Sequence, residues 1–365
     1  MTANATFSVG AILTAHPHTV AHLRTLDVLP EVEEIHVHWL DGTDPGALGA
    51  DVPLRKVVAT HKSVADVLGI RGLDAAVVCV RTDRCPDVLR AAVVAGVPVL
   101  FEKPGAVDAD TLWEIAHEAH RRGVTTGTFL SWRGHPAVAQ VRDAVRAGAL
   151  GNLLGVEGRM ITSQVRYRDP SHWLFRRETA GSGILSWLGC HFLDALCFMV
   201  DDTIAEVSAM VGRRNPEPIE VEDTACLTIR MHSGALGTFN AGYHLVGSVP
   251  GYMGASYDTF LGLRGTRGHA RLPLSEGSTV TVVSEAPGWR EGGRREWRYD
   301  LPTSPAYHGV PGEEFVRRFL HDARAGVPAV APIESIAHVL DVVEAAIRAS
   351  ETGQAARVST RRTAD

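Results

Sequence analysis

Short apolar runs alternate with amphipathic stretches along the first 130 residues of the chain. The runs are rich in β-branched residues and lie at 7–13, 34–40, 55–59, 75–80, 97–101 and 125–129. Between several of them, as at 85–95 and 109–121, apolar residues recur at steps of three and four, the spacing of one helix face. This alternation predicts an α/β domain with a doubly wound parallel sheet. The nearly continuous apolar runs AAVVCV and VPVLF predict its central strands.

The pattern changes after a predicted connecting helix at 137–146. Strand-like segments then follow one another with glycine-containing turns, at 153–162, 205–211, 223–231, 237–243, 259–263, 270–272, 279–284 and 295–299. Helical patterns occur at 189–199, 312–325 and 334–350. We therefore expect a first domain over 1–130, an α+β domain with a mainly antiparallel sheet over 131–352, and a polar tail over 353–365.

Composition and charge narrow the class of protein to which this chain can belong. The chain has 365 residues, 45% of them hydrophobic and 21% charged, which favours two globular domains over disorder. A formal charge of -6 without long single-sign runs gives no footprint for nucleic acid or an anionic membrane. No apolar run approaches the roughly 20 residues of a membrane span, and the first residues lack the basic region of a signal peptide, so we expect a cytoplasmic protein.

Cysteine and lysine usage add two points. The five cysteines are scattered and never spaced as C-x-x-C, so neither a disulfide framework nor a zinc ribbon is indicated. Of the 36 basic residues only Lys56, Lys62 and Lys103 are lysines, the other 33 being arginines. Lysine, unlike arginine, can exchange a proton when its environment is tuned, so each lysine invites a reason.

Lys103 follows the predicted strand VPVLF within the segment Glu102-Lys103-Pro104. Open α/β sheets bind ligands at the carboxyl ends of their strands, and Pro104 favours an extended Lys103. Because side chains alternate along a strand, Glu102 and Lys103 should point to opposite faces. A solvated lysine at a strand end is the alternative. The scarcity of lysine and the following proline favour a residue directed into a cleft.

His191 and Asp194 form a second candidate group, after Gly181-Ser182-Gly183 and Gly189. Three positions apart on a helix, they share one face, so the carboxylate can hold or polarise the imidazole. Such a pair suits a general acid and base near neutral pH. The alternative is a histidine and an aspartate that satisfy each other at a domain junction.

Together these motifs resemble those of the Gfo/Idh/MocA oxidoreductases. The likeness rests on Glu102-Lys103-Pro104, on Gly181-x-Gly-x-Leu and on Gly189-x-His191-x-x-Asp194, and it extends to segments 132–136, 148–151 and 265–268. It implies an N-terminal Rossmann domain, a C-terminal domain with an open sheet often used for oligomerisation, and NAD(P)-linked chemistry on sugars, cyclitols and related compounds. A homodimer or homotetramer is therefore expected.

The resemblance also implies roles. Lys103 would lie between nicotinamide and substrate, His191 would be the general acid and base, and Asp194 would assist it. Glu102 and Arg133 would belong to the cofactor side of the site.

Three segments depart from the family pattern. The first turn of a dinucleotide-binding domain should carry G-x-G-x-x-G, but here Leu13, Ala15 and His18 stand at the glycine positions, and Leu13 and His18 should crowd a diphosphate. Thr14, Ala15 and His16 remain as candidate contacts at a helix N-terminus. Asp41 is the nearest match to the ribose-binding acid and favours NAD over NADP. Arg81 and Thr82 replace the usual segment after the fourth strand.

Histidines and aromatic residues give the remaining candidates. His16-x-His18 with His22, and His36-x-His38, invite a metal hypothesis. The first group lies at a predicted helix start, where imidazoles cap well, and the second lies on a predicted strand without an identifiable acidic or cysteine partner, so no metal is expected. Aromatic and polar groups near the His191 segment suit a hydroxylated ring, although ordinary packing would explain each one alone. The predicted substrate-binding residues are Tyr167, Arg168, His172, Trp173, Trp187 and His191.

Three functional hypotheses result. The first is an NAD(P)-dependent oxidoreductase that transfers hydride to or from a hydroxylated small molecule. The second is a family member with a degenerate dinucleotide loop that performs a redox-neutral lyase or isomerase step. The third is a non-catalytic binding protein on the same fold.

Overall fold

The structure is a computed structural model that describes residues 6–42, 54–246, 256–274, 278–289, 293–359 and 361. The chain divides into two units. Of the described residues, those between 6 and 131 and between 302 and 337 form unit 1, and those between 132 and 301 and from 338 onward form unit 2. Residues 302–337 thus belong to unit 1, whereas the sequence expectation was one continuous domain over 131–352.

Unit 1 is built on a parallel sheet. Its strands are β1 (Phe7–Leu13), β2 (Val32–Trp39), β3 (Val57–Thr60), β4 (Ala75–Cys79), β5 (Val99–Phe101) and β6 (Thr126–Thr128). They pair in the order β3-β2-β1-β4-β5-β6, all in parallel. Strands β4 and β5, which contain the runs AAVVCV and VPVLF predicted to be central, are interior strands of the sheet, and all of their residues are buried. The predicted doubly wound sheet is confirmed.

Four helices connect these strands: α1 (Thr19–Val28), α2 (Val64–Leu68), α3 (Cys85–Ala95) and α4 (Ala109–Arg122). Local sequence explains where two of them begin. The Asp108 side chain accepts a hydrogen bond from the Thr111 amide at the start of α4. Pro86 occupies the first turn of α3, where its missing N–H leaves no bond unmade.

Unit 2 contains a nine-stranded mixed sheet. Its strands are β7 (Leu153–Ser163), β8 (Ile204–Gly212), β9 (Thr224–Met231), β10 (Leu236–Leu245), β11 (Tyr257–Gly265), β12 (Gly268–Pro273), β13 (Ser278–Ser284), β14 (Arg294–Tyr299) and β15 (Ala356–Arg357). The order is β14-β13-β12-β11-β7-β10-β9-β8-β15, and β7 with β10 is the parallel pair. Strand β15 lies in the segment expected to be a polar tail. It pairs with β8, opposite Val207 and Glu206.

The helices of unit 2 include α5 (Pro136–Arg146), α6 (Arg177–Ala180) and α7 (Cys190–Val200). A π-helical turn, Leu185–Gly189, runs directly into α7 and was not predicted. The stretch 177–200 is long and apolar enough to cross a membrane, although the sequence expectation was that no such run exists. Its most apolar window is 78% buried inside the protein, as in a core helix of a globular domain.

Two further helices are α8 (Val310–Ala325) and α9 (Ile333–Thr352), the latter divided between the units at Ala337. Contacts between residues distant in sequence join the 302–337 segment to the rest of unit 1. The amide of Thr128 donates to the carbonyl of Ala331 at 2.8 Å, next to β6. The rings of Phe129 and Phe315 lie 5.2 Å apart. A segment distant in sequence therefore covers the β6 side of the parallel sheet.

Candidate active site

Glu102 and Lys103 lie immediately after β5, at the carboxyl end of the parallel sheet of unit 1. Both are buried, with 3% and 1% of their surface exposed. Lys103 Nζ lies 3.6 Å from Glu102 Oε1. The expectation that they point to opposite faces is therefore wrong. Strand β5 ends at Phe101, and the alternation of side chains holds only within a strand.

The turn after Lys103 depends on a glycine. The Lys103-Pro104 peptide is cis, and Gly105 has φ of +82°. A Cβ atom at Gly105 would collide with the ring of Phe101. Because L residues rarely adopt this φ and the space is filled, a residue with a side chain would not fit at position 105.

Glu102 binds two histidines from the start of α1. Its Oε2 lies 2.6 Å from His22 Nε2, and its Oε1 lies 3.3 Å from His18 Nδ1. An ionised carboxylate only accepts hydrogen bonds, so His22 Nε2 carries a proton. Sequence reasoning did not connect these histidines with Glu102. Their four-residue spacing, which places both on one helix face, was the available signal.

Charge and burial have opposite effects on the pKa of Glu102. Burial would raise the pKa of Glu102, but the charges of His18 and Lys103, with hydrogen bonds from His18 and His22, hold that pKa well below its ordinary value. Burial lowers the pKa of His18, an effect that Glu102 partly offsets. Burial also lowers the pKa of His16 well below its ordinary value. Burial thus favours the neutral forms of His16 and His18, whereas the partners of Glu102 favour its ionised form.

The turn after β1 holds three residues predicted to contact a cofactor. Thr14 is buried, and its carbonyl accepts a hydrogen bond from the Thr19 hydroxyl at 2.8 Å. His16 is also buried, and its Nδ1 accepts from the His18 amide at 3.1 Å. Ala15 is exposed. Of these three side chains, the structure thus presents the small one of Ala15 at the surface of the turn.

Asp41 lies two residues beyond β2, beside the same turn. Its Oδ2 accepts a hydrogen bond from the Ala15 amide at 2.9 Å. The structure therefore brings together two residues that sequence reasoning assigned to the cofactor separately. Arg81 and Thr82 lie beyond β4, where Arg81 forms a two-point ion pair with Asp83 at 2.6 and 2.8 Å and Thr82 is 3% exposed.

In unit 2, His191 occupies the first turn of α7 and is 7% exposed. Asp194, one turn later, is 2% exposed. Both oxygens of Asp194 accept hydrogen bonds from Arg133, from Nε at 2.9 Å and from Nη2 at 2.6 Å. Arg133, assigned by the resemblance to the cofactor side, is thus bound to the carboxylate that was expected to assist His191.

The predicted substrate-binding residues fall into two sets. Trp187, buried in the π-helical turn, lies edge-on to Trp173 with ring centres 6.0 Å apart, and His172 stacks on Trp173 at 5.4 Å. Arg168 donates hydrogen bonds to the carbonyls of Ser163 and Gln164, and its guanidinium lies over the ring of Tyr243. Tyr167 accepts a hydrogen bond from Arg166 at 3.0 Å.

A residue that sequence reasoning missed, Glu222, anchors the segment that leads to His191. Its carboxylate accepts hydrogen bonds from the Ser182 hydroxyl and from the amides of Gly183 and Leu185, at 2.8 to 3.1 Å. A Cβ atom at Gly183 would collide with the Glu222 carbonyl. The approach to α7 therefore needs both a glycine and this buried acid. Nothing local in the sequence links them.

Metal binding gains no support. In the ranges that the structure describes, no group of three or more His, Cys, Asp or Glu side chains is arranged to hold a metal ion. His36 instead contacts His61, with Nδ1 and Nε2 3.1 Å apart.

Two family models match most of the described chain. One, described as an oxidoreductase family with an NAD-binding Rossmann fold, matches residues 44–129. The other, described as the GFO/IDH/MocA C-terminal domain, matches residues 138–271. Together they span more than half of the sequence. The first match begins after Asp41, so it leaves out the unusual turn that follows β1.

Individual relatives and solved structures agree. A 1,5-anhydro-D-fructose reductase from Ensifer adhaerens is 28% identical over 231 residues, which is 58% of this chain and 67% of the relative. An oxidoreductase domain protein from Kribbella flavida has 22% identity and a TM-score of 0.83, over 98% of this chain and 100% of its own. A levoglucosan dehydrogenase solved with NADH and levoglucosan has 17% identity and a TM-score of 0.82, over 97% and 100%. The chain belongs to the Gfo/Idh/MocA family of oxidoreductases.

Proposed function

We propose that the protein is an NAD(H)-dependent dehydrogenase or reductase that transfers hydride to or from a sugar, a cyclitol or a similar polyhydroxylated molecule. The observation that carries this proposal is the buried Lys103 at the carboxyl end of β5, within a unit whose family model is an NAD-binding Rossmann fold. The names of the relatives, among them an anhydrofructose reductase and a levoglucosan dehydrogenase, support the substrate class.

The first turn of unit 1 fits a dinucleotide in spite of its missing glycines. The side chains of Leu13 and His18, expected to crowd a diphosphate, are 0% and 7% exposed and therefore turn into the protein. Ala15 is exposed, and the Asp41 carboxylate stands beside it, in the place where this fold binds the adenosine ribose. A carboxylate there repels a 2′-phosphate, which favours NAD over NADP. Thr14, Ala15, His16 and Asp41, with Arg81 and Thr82, would hold the cofactor.

The chemistry divides between cofactor and protein. A bound nicotinamide would supply or accept hydride. The Lys103 ammonium would donate a hydrogen bond to the reacting oxygen and so stabilise its developing negative charge. His191 would accept the hydroxyl proton in oxidation and return it in reduction. Arg133 would hold the Asp194 carboxylate in place one helical turn from His191, where its charge would favour the protonated imidazole during transfer.

Substrate recognition is assigned to unit 2. The paired indoles of Trp173 and Trp187 offer apolar faces for a sugar or cyclitol ring, and His172 offers a polar edge beside them. Tyr167 and Arg168 would contact hydroxyl groups. In the same unit, Met210 on β8 and Leu236 on β10 are 81% and 52% exposed, which supports a homodimer or homotetramer through this sheet. We also propose a cytoplasmic location.

Turnover experiments test the proposal. Purified protein is incubated with NAD⁺ and a panel of anhydrosugars, aldoses and cyclitols, and with NADH and the matching ketones, while nicotinamide absorbance is followed. We expect turnover with at least one member. Lys103→Met should reduce kcat by about 100-fold or more. Lys62→Arg, an exposed lysine of the same unit, is the matched control and should leave kcat unchanged.

One observation favours a second candidate function. The Ala15 amide is already bound to Asp41, so this donor of the turn is occupied. In this second function the dinucleotide does not exchange with solution during turnover, and the protein performs a redox-neutral lyase or isomerase step. Mass spectrometry of gently desalted protein separates the two. A stoichiometric dinucleotide without net NADH formation supports the second function, and exchange with steady NADH formation supports the first.

A further inference from the structure

Lys103 and three charged or polar side chains near it form one connected group, which we call the Glu102 cluster: Glu102, Lys103, His18 and His22. Glu102 is its centre. One oxygen binds His22 at 2.6 Å, while the other lies 3.3 Å from His18 and 3.6 Å from Lys103. All four residues are buried, the most exposed of them being His18 at 7%.

We propose that Glu102 is the positioning residue of Lys103, and that His18 and His22 hold Glu102 in the orientation this requires. The inference rests on the role proposed above for Lys103. It assigns a task to two histidines of the turn and helix that follow β1, outside the segment that carries the lysine.

The argument begins with burial. An ammonium group away from water keeps its proton only when a nearby negative charge and hydrogen bonds replace its hydration. Glu102 supplies that charge at 3.6 Å. A free carboxylate beside a lysine would rotate among several arrangements. An imidazole beside each of its two oxygens restricts the Glu102 carboxylate to one orientation. His18 is the N-cap of α1 and His22 lies in its first turn, so their spacing of four residues places both imidazoles on one face.

Other titratable groups face the cluster but leave its charge unchanged at neutral pH. From the turn, His16 lies beside His18 at a ring separation of 5.2 Å. From β4, Cys79 lies 3.3 Å from His16, and burial raises the pKa of its thiol well above the ordinary value. Burial likewise raises the pKa of Cys85 at the start of α3. Tyr307 stacks on His18 and His22 at 4.6 and 4.9 Å. Glu102 is thus the negative charge among them.

This arrangement has a consequence for the first turn. His18 stands where the family pattern has a glycine, and its imidazole binds the same carboxylate as Lys103. The segment that approaches a dinucleotide and the segment that carries the lysine are therefore tied together through Glu102. Substitution of His18 should change the environment of Lys103 without any direct change of the lysine.

Direct observation of Lys103 tests the inference, because the chain has only three lysines. Protein labelled with ¹³C at lysine Cε, in a Lys56→Arg, Lys62→Arg background, gives a single side-chain signal. Its chemical shift is followed by NMR between about pH 6 and pH 9, where an unpaired buried lysine can titrate. The protein with the unsubstituted cluster gives the reference curve.

Three variants of the cluster are compared in this background. In Glu102→Gln the signal should move to the amine position at a pH lower by about 1 to 3 units, because the neighbouring charge is gone. Glu102→Asp, which restores the charge, should return it toward the ammonium position. His22→Asn should shift the midpoint in the same direction by less, since it frees the carboxylate without removing it.

His36→Asn is the matched control. His36 belongs to a half-buried histidine pair of the same unit, with Glu34 at 3.4 Å, on β2 and outside the Glu102 cluster, so its loss should leave the Lys103 signal unaltered. Identical titration of Lys103 in the parent, Glu102→Gln and His22→Asn proteins would overturn the inference. If Glu102→Gln does not fold, His22→Asn and His18→Asn decide it by the same criterion. The readout needs neither substrate nor cofactor, so a failed turnover assay leaves it intact.

Discussion

Two histidines of unit 2 predict that the stability of the protein falls at acid pH. Burial lowers the pKa of His135 to about 4 and that of His338 to about 4, from 6.5 for an ordinary histidine. His338 Nε2 accepts a hydrogen bond from the Ile204 amide at 3.3 Å, and His135 Nδ1 accepts one from the Ala137 amide at 3.1 Å. Both contacts need an unprotonated nitrogen, so both histidines are neutral in the native state.

The sign of the resulting pH dependence follows from proton uptake. Between pH 6.5 and about 4 the unfolded chain binds a proton at each of these histidines and the native chain does not. The free energy of unfolding should therefore fall as pH falls through this window, by up to about 1.4 kcal/mol per pH unit for each histidine. Urea denaturation at a series of pH values measures it. His338→Gln should flatten the slope, whereas substitution of the exposed His120 should not.

Arg133 gives a second prediction at this scale. Asp194 is 2% exposed and both its oxygens accept from Arg133, so removal of the guanidinium leaves a buried carboxylate without its counter-charge. Arg133→Ala should lower the free energy of unfolding by about 3 to 5 kcal/mol. Arg133→Lys, which keeps the charge but not the two-point geometry, should cost less. A destabilisation by Arg133→Ala no larger than that of Arg264→Ala, at an exposed ion pair, would contradict this account.

Candidate site residues could be selected from the sequence only where the signal is local. Lys103 was selected because lysine is scarce and a proline follows it, and His191 and Asp194 because their spacing places them on one helix face. The partners came from elsewhere in the chain. Arg133 precedes Asp194 by 61 residues, and His22 precedes Glu102 by 80, distances over which periodicity carries no information.

At the scale of elements, the parallel sheet was predictable because β4 and β5 are continuous apolar runs and because short apolar runs alternate with amphipathic stretches over the first 130 residues. Helix α3 was placed without error, and most strands within two or three residues. The π-helical turn Leu185–Gly189 was missed, since its apolar residues fit an ordinary helix equally well. The return of 302–337 to unit 1 was missed because local patterns do not show which sheet a helix covers.

Gly183 tests how the segment before α7 is built. A Cβ atom there would collide with the backbone carbonyl of Glu222, which cannot move without disturbing β9. Gly183→Ala should therefore destabilise the protein by about 1 to 3 kcal/mol or more. Gly212→Ala is the control, because nothing lies within 4 Å of the corresponding position. Equal thermal stability of the two variants would contradict the proposed packing.

At the scale of the whole molecule, family membership and the fold agree while the first turn departs from the pattern. The matched segments cover 44–129 and 138–271, and the turn after β1 lies before them. Leu13 and His18 are buried and Ala15 lies beside Asp41, and the proposed binding of a dinucleotide at this turn rests on that arrangement. The proposed preference for NAD follows from the same carboxylate.

Binding of NADH to the purified protein is the measurement that tests the central claim most directly. Isothermal titration calorimetry, supported by nicotinamide fluorescence, should show saturable binding with a Kd between about 1 μM and 1 mM, and weaker binding of NADPH. Asp41→Ala should weaken NADH binding and narrow that difference. A folded protein that arrives free of dinucleotide and binds none of NAD⁺, NADH, NADP⁺ or NADPH would contradict the claim.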